Sequence, residues 1–201
     1  PVVLPDGSRI VLASGSAVDI DMDGGARTIR LLQGDVLSEV VRGRDAPFRV
    51  VTMDGVAEAL GTSFTVRKEE KGTQVAVISS RVRVCPAAGR DGCRILVPGE
   101  RVRLSDGGIA RLPDIAPGDA AAWADGWLPA DGRLLVEVLD ELNRWRQSPI
   151  RFDRAALKGL RVSGIFPLRD SDGALANLAR SQPIVIDRSN PASPVVRRKP
   201  E

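Results

Sequence analysis

Arg81-Val82-Arg83-Val84-Cys85-Pro86-Ala87-Ala88-Gly89-Arg90-Asp91-Gly92-Cys93-Arg94-Ile95-Leu96-Val97 is the stretch whose reading decides the fold. Charged and apolar residues alternate through Arg81–Val84, which buries one face of a strand and wets the other. Arg94–Val97 reads as the returning strand, and Pro86, Gly89 and Gly92 supply the turn. Cys85 and Cys93 then face each other across a hairpin. A disulfide closing so short a loop contributes about 2.5 kcal/mol in the chain-entropy account. It is favoured here over two unpaired thiols, and over a metal site, because no third or fourth soft ligand exists. Oxidising surroundings follow.

The same period extends outward in both directions. Twelve candidate strands run from Ser8–Ala13 to Ile109–Leu112, among them Ala17–Met22, Phe48–Thr52, Phe64–Arg67 and Gln74–Ser79. Asp6-Gly7, Gly24-Gly25, Lys71-Gly72, Pro98-Gly99 and Asp106-Gly107-Gly108 separate several of them. Glycine and proline, 20 and 14 of 201 residues, exceed the average share of roughly 12%, as suits a chain of many short strands. Residues 1–115 therefore read as an all-β domain. Arginines on the wet faces discourage edge-to-edge aggregation.

Around Leu112 the pattern changes. Residues 116–126 read as a linker, in which Ala120–Asp125 is short, alanine-rich and a candidate helix. Residues 127–201 read as a small α/β domain in the order β-α-β-β-α-β with room for one more strand. Trp127–Leu128 opens it. Asp131 is placed to cap a helix with apolar Leu134, Leu135, Val138, Leu139, Leu142 and Trp145, which must end before Pro149. Ile150–Phe152 and Leu160–Phe166 are strands. Ser171 is placed to cap a second helix over Ala174, Leu175, Leu178 and Ala179. Ile184–Ile186 and Val195–Arg197 finish the chain. The two helices are expected to cover one face of a single small sheet.

Composition excludes much chemistry. There is no histidine, which removes Ser-His and Cys-His nucleophilic catalysis and most zinc, copper and non-haem iron sites. Aromatics are 3% of residues, without a tyrosine, too few for a sugar cleft or a base-stacking platform. Asp19, Asp21 and Asp23 lack the remainder of a calcium loop, Gly15-Ser16 fails the nucleophile-elbow frame, and no phosphate-binding glycine pattern occurs. No metal, cofactor, small-molecule substrate or nucleic acid is expected. The net charge of +3 is uneven: from Trp127 onward 13 basic side chains meet 9 acidic ones, a mild tilt towards acidic partners. No apolar run reaches membrane-helix length, and the chain opens at Pro1 without Met, so it is read as an excised soluble fragment.

Several motifs, in order, carry a resemblance: Leu4-Pro5-Asp6-Gly7-Ser8, Leu31-Leu32-Gln33-Gly34-Asp35-Val36, Pro47-Phe48-Arg49-Val50, Leu60-Gly61-Thr62-Ser63-Phe64-Thr65-Val66, Val97-Pro98-Gly99-Glu100, Trp123-Ala124-Asp125-Gly126 and Val138-Leu139-Asp140-Glu141-Leu142-Asn143-Arg144-Trp145 before Pro149-Ile150. Together they resemble the FecR family, the signal-receiving regions of transmembrane sigma-factor regulators. The C-terminal part further resembles the short N-terminal domain of secretins and TonB-dependent receptors, a pair of β-α-β units. The Cys85–Cys93 hairpin departs from the family pattern.

The resemblance implies a periplasmic region of a single-pass inner-membrane protein. It implies binding to the signalling domain of a TonB-dependent outer-membrane siderophore receptor, and relay to an extracytoplasmic-function sigma factor through a cytoplasmic segment outside this chain. The chain is then no enzyme, with one exception: some relatives self-cleave where Gly61-Thr62 stands, by attack of the threonine hydroxyl on the preceding carbonyl. A tight strand-to-strand turn that only glycine fits is the other reading of Gly61. Small β-α-β units leave sheet edges open for strand addition. In Leu160–Phe166, alternation sends Arg161, Ser163 and Ile165 to the outer face, with Ile165 as the apolar contact. The other classes weighed are an extracellular adhesion or carbohydrate-binding β-module, and a hydrolase acting through two carboxylates about 5–10 Å apart.

Overall fold

The computed structural model describes residues 1–42, 46–87, 92–190 and 192–200 and is mainly β. Its contacts divide it into two compact units, Pro1–Ala124 and Asp125–Glu201.

The first unit holds β1 (Val2–Val3), β2 (Arg9–Leu12), β3 (Ala17–Asp21), β4 (Thr28–Gln33), β5 (Asp35–Glu39), β6 (Phe48–Thr52), β7 (Gly55–Ala59), β8 (Ser63–Glu69), β9 (Gly72–Ser79), β10 (Val82–Pro86), β11 (Arg94–Leu96), β12 (Arg101–Ser105) and β13 (Gly108–Leu112). One sheet has the order β1-β2-β5-β8-β9-β12-β13, the other β11-β10-β7-β6-β4-β3. Neighbours pair antiparallel except β4 and β6, which run parallel. The twelve expected strands are present with ends shifted by a residue or two, and β1 is added to them. Alternation delivers the core: Ile10, Ile29, Leu31, Phe48, Phe64, Val66, Val75, Val84 and Leu104 are buried in one cluster. The Arg81–Val84 pattern behaves as its period demands, with Val82 and Val84 fully buried and Arg83 exposed.

Two charged side chains of this unit are buried among the described residues, Arg27 and Asp35, the latter paired with Arg67 at 2.8 Å. Arg27 donates through Nε to Asp6 Oδ2 at 2.8 Å, through Nη1 to Ala46 O at 2.9 Å, and through Nη2 to Val41 O at 3.3 Å and Ser8 Oγ at 3.4 Å. Its guanidinium also lies 5.8 Å from the centroid of the Phe48 ring. Burial disfavours the Asp6 carboxylate, yet the Ser8 N–H and hydroxyl and the Arg27 charge outweigh it and hold the Asp6 pKa below the ordinary value.

Residues 116–126 are largely helical. Pro117–Ala121 form α1, with Pro at the first turn where a missing N–H costs nothing, and Ala122–Asp125 continue as a 3-10 turn. Ala120 and Trp123 are buried, and α1 lies against β8 and β9.

The second unit runs β14 (Trp127–Leu134), α2 (Leu135–Asn143), β15 (Arg151–Phe152), β16 (Arg161–Pro167), α3 (Ser171–Ser181), β17 (Ile184–Asp187) and β18 (Val195–Arg198). The element order is the expected one, including the extra strand. The single sheet is not: β14 pairs with β16 in one sheet, and β15, β18 and β17 form another. α3 touches both sheets, through β16 and β17, and buries Ala174, Leu175 and Leu178.

Two expected caps also move. Asp131 does not begin a helix, because the chain continues as β14 through a register irregularity between Ala130 and Arg133, and α2 starts only at Leu135 without a side-chain cap. Four further residues, Pro129, Ala130, Arg133 and Leu134, pair with β16, a larger gain than an early helical turn. At the second helix the cap is Asp170, whose Oδ1 accepts from Gly173 N at 2.9 Å. Ser171 is already helical, and its hydroxyl accepts from Arg146 Nη1.

Candidate functional site

Three segments carry the expected functional residues, two in the first unit and one in the second. Gly61 and Thr62 sit at the entrance to β8. Val40 N–H donates to Thr62 O at 2.9 Å, which extends the β5–β8 pairing by one step. Gly61 has φ +127, and an added Cβ would lie 2.0 Å from Arg42 Cγ. Only glycine fits so close an approach. Arg42 Nε donates to Gly61 O at 3.3 Å. Thr62 is only 4% exposed, and its Oγ1 has no hydrogen-bond partner among the described residues. An unsatisfied buried hydroxyl costs about 1–3 kcal/mol. So an unpartnered hydroxyl belongs to the residue that follows a carbonyl hydrogen-bonded by the Arg42 guanidinium. Nothing in the sequence announced Arg42, since the contact joins positions far apart in the chain.

In the second unit, Ile165 stands 67% exposed on β16, on the outer face that alternation assigned it. Its partner across the pair is Pro129, and Trp127 stands opposite Pro167. Directly paired residues share a face, so Trp127, Pro129, Ile165 and Pro167 form one apolar patch, with Trp127 48% exposed. Sequence reading found only Ile165. The proline–tryptophan side was concealed by ending the first strand at Leu128.

Arg161 and Ser163 serve the strand itself. Ser163 Oγ accepts from Gly132 N at 3.0 Å, and Arg161 Nη1 donates to Gly132 O at 2.5 Å. Both grip the irregular turn of β14, where Gly132 has φ +60.

Cys85 and Cys93 are joined by a disulfide, which ties the end of β10 to the chain entering β11. Of the expected turn between them, Ala88–Asp91 lie outside the described residues. Near Cys85 a groove of about 550 Å³ runs over β6, β7 and β10. Its charged groups are already joined, Arg49 to Glu58 at 2.9 Å and Arg83 to Glu58 at 3.8 Å. Among the described residues no group of three acidic or cysteine side chains could hold a metal ion. No helix of the described residues is long and apolar enough to cross a membrane.

A comparison with curated proteins finds no match. Two crystal structures of a candidate anti-sigma factor from Parabacteroides distasonis ATCC 8503 are similar to this chain. Their TM-scores are 0.80 and 0.79, each at 21% identity, over 99% of this chain and 94% and 93% of theirs. At that identity the likeness is one of fold, and it spans both units. The family model described as FecR protein matches residues 1–83, the stretch that contains the Asp6–Arg27 pair and the Gly61–Thr62 segment. Over that segment the chain is similar to the FecR family.

Proposed function

We propose that this chain is the signal-receiving region of a membrane-anchored anti-sigma regulator, held in the periplasm. It binds the signalling domain of a TonB-dependent outer-membrane siderophore receptor and relays that event to an extracytoplasmic-function sigma factor. The observation that carries the reading is the family match over residues 1–83 inside a fold shared, over nearly the whole chain, with a candidate anti-sigma factor. The Cys85–Cys93 disulfide supports an oxidising compartment.

The receptor domain docks on the outer face of β14 and β16. Trp127, Pro129, Ile165 and Pro167 supply apolar area there, and tryptophan is a residue type enriched among interface anchors. Arg161 and Ser163 act indirectly, by fixing the β14 turn that borders the patch. The test is calorimetric titration with the signalling domains of the host's receptors. Binding by one of them, lost in Ile165→Asp while circular dichroism is unchanged, is the expected result. Equal affinity of the variant refutes the placement.

A second reading concerns Gly61–Thr62, and the unpartnered Thr62 Oγ1 favours it. The hydroxyl adds to the Gly61 carbonyl carbon. The C–N bond breaks, an ester forms at Oγ1, and the proton passes to the new amine of Thr62. Water then hydrolyses the ester to a Gly61 carboxylate and a free Thr62 hydroxyl. Arg42 Nε, on Gly61 O, stabilises the developing oxyanion. Intact-mass spectrometry after long incubation reads two fragments if the bond is processed. A single 21.5 kDa species excludes it.

A further inference from the structure

The three-stranded sheet of the second unit has an unfinished edge. β15 runs beside β18 only where Arg151 faces Val195 and Phe152 faces Val196. On its other side β18 stays paired with β17 as far as Arg198. At Asp153 the chain turns away, its carboxylate accepting Ala155 N–H at 2.8 Å. The β15 side of Arg197 and Arg198 therefore has no strand partner among the described residues.

A groove of about 530 Å³ lies at this edge. Phe152, Ala156 and Val196 give it apolar lining, and Arg151, Arg197 and Arg198 give it charge against the single carboxylate of Asp153. Arg197 reaches Asp187 at 3.4 Å. Arg151 and Arg198 are exposed and make no ion pair among the described residues. The surplus of basic side chains after Trp127 thus has a local address.

We propose that this edge accepts an extended acidic segment of a partner protein as an added strand. Its main chain bonds to the free edge of β18 at Arg198, its alternate apolar side chains rest on Phe152 and Val196, and its carboxylates face Arg151 and Arg198. Main-chain bonds supply affinity and the alternating side chains supply selection, while the charges steer approach and reject basic sequences. The surface belongs to a different sheet from Ile165, so the inference does not rest on the docking face assigned above.

The test is fluorescence polarisation with the full chain and labelled peptides of alternating valine and glutamate, or valine and lysine. The glutamate peptide binds, roughly tenfold more weakly when salt is raised from about 50 mM to 500 mM, and the lysine peptide does not. The double variant Arg151→Glu with Arg198→Glu loses at least about tenfold in affinity with unchanged circular dichroism, whereas Ile165→Asp binds as before. N-methylation of alternate amides on the glutamate peptide removes binding, the mark of strand addition. Equal binding of both peptides, binding of neither, indifference to the double variant, or capture only by phosphatidylglycerol vesicles would each overturn the proposal.

Discussion

The two units spend their apolar residues differently. In the first, Phe48 and Phe64 are fully buried between two long sheets, and α1 lies against β8 and β9. In the second, the strands divide into a pair and a triplet, the helices bury Leu135, Leu139, Leu142 and Leu175, and Trp127 and Ile165 are left facing water. A sheet long enough to cover itself can hide nearly everything alternation assigns to its inner face. Two short sheets around small helices cannot, and they leave faces and edges free. Both units also expose apolar side chains, among them Val3, Met53, Leu60 and Ile95 in the first and Trp127, Ile165 and Val185 in the second, so the difference lies in the split sheets of the second unit, whose short strands leave a face and an edge unpaired.

The largest effect should come from opening the first core. Phe64→Ala is expected to destabilise the first unit by about 3–5 kcal/mol, read as a lowered calorimetric transition for that unit alone. A loss below about 1 kcal/mol would mean that the sheets are less tightly packed than the contrast requires. Arg27→Ala should cost less, about 1–3 kcal/mol, because the half-buried Asp6 loses its ion pair but keeps both hydrogen bonds from Ser8.

The same pair sets a pH dependence. Asp6 has its pKa lowered in the folded chain, so its contribution is fully present above the unfolded aspartate value and is lost as pH falls through the folded one. Urea midpoints followed from pH 7 down to about pH 3 should fall more steeply for the native chain than for Asp6→Asn. Parallel curves would remove Asp6 from the account.

Removing the Cys85–Cys93 bond by paired serine substitution should cost about 2.5 kcal/mol, again confined to the first unit. The smallest stability effect belongs to the contact surface: Ile165→Asp should shift the second unit's transition by no more than about 0.5 kcal/mol while abolishing receptor-domain binding. Should it unfold the unit, Ile165 is core, and the β14–β16 face is no contact surface.

Much of this was legible because local pattern and tertiary placement agree. Arg81-Val82-Arg83-Val84 alternates and lies in a sheet with one buried face. Val138, Leu139 and Leu142 follow helical spacing and are buried. Legibility failed where a distant strand outbid a local signal. Asp131 looks like a cap, but β16 offers β14 a full-length partner, and the chain takes the strand. Asp170 took the cap assigned to Ser171, whose hydroxyl is engaged instead by Arg146 from the end of α2.

The amino-acid order by itself determined the period of every long element, the positions of the turns, the pairing of the only two cysteines and the outward face of Ile165, because each depends on residues within a few steps of one another. Only the tertiary structure decided that the C-terminal strands form two sheets, that Arg42 reaches the Gly61 carbonyl, that Thr62 is buried without a partner, and that Trp127 joins Ile165 in one patch. Those outcomes depend on which distant segments meet, and hydrogen-bond partners and burial are shared among such segments only once the chain has closed on itself.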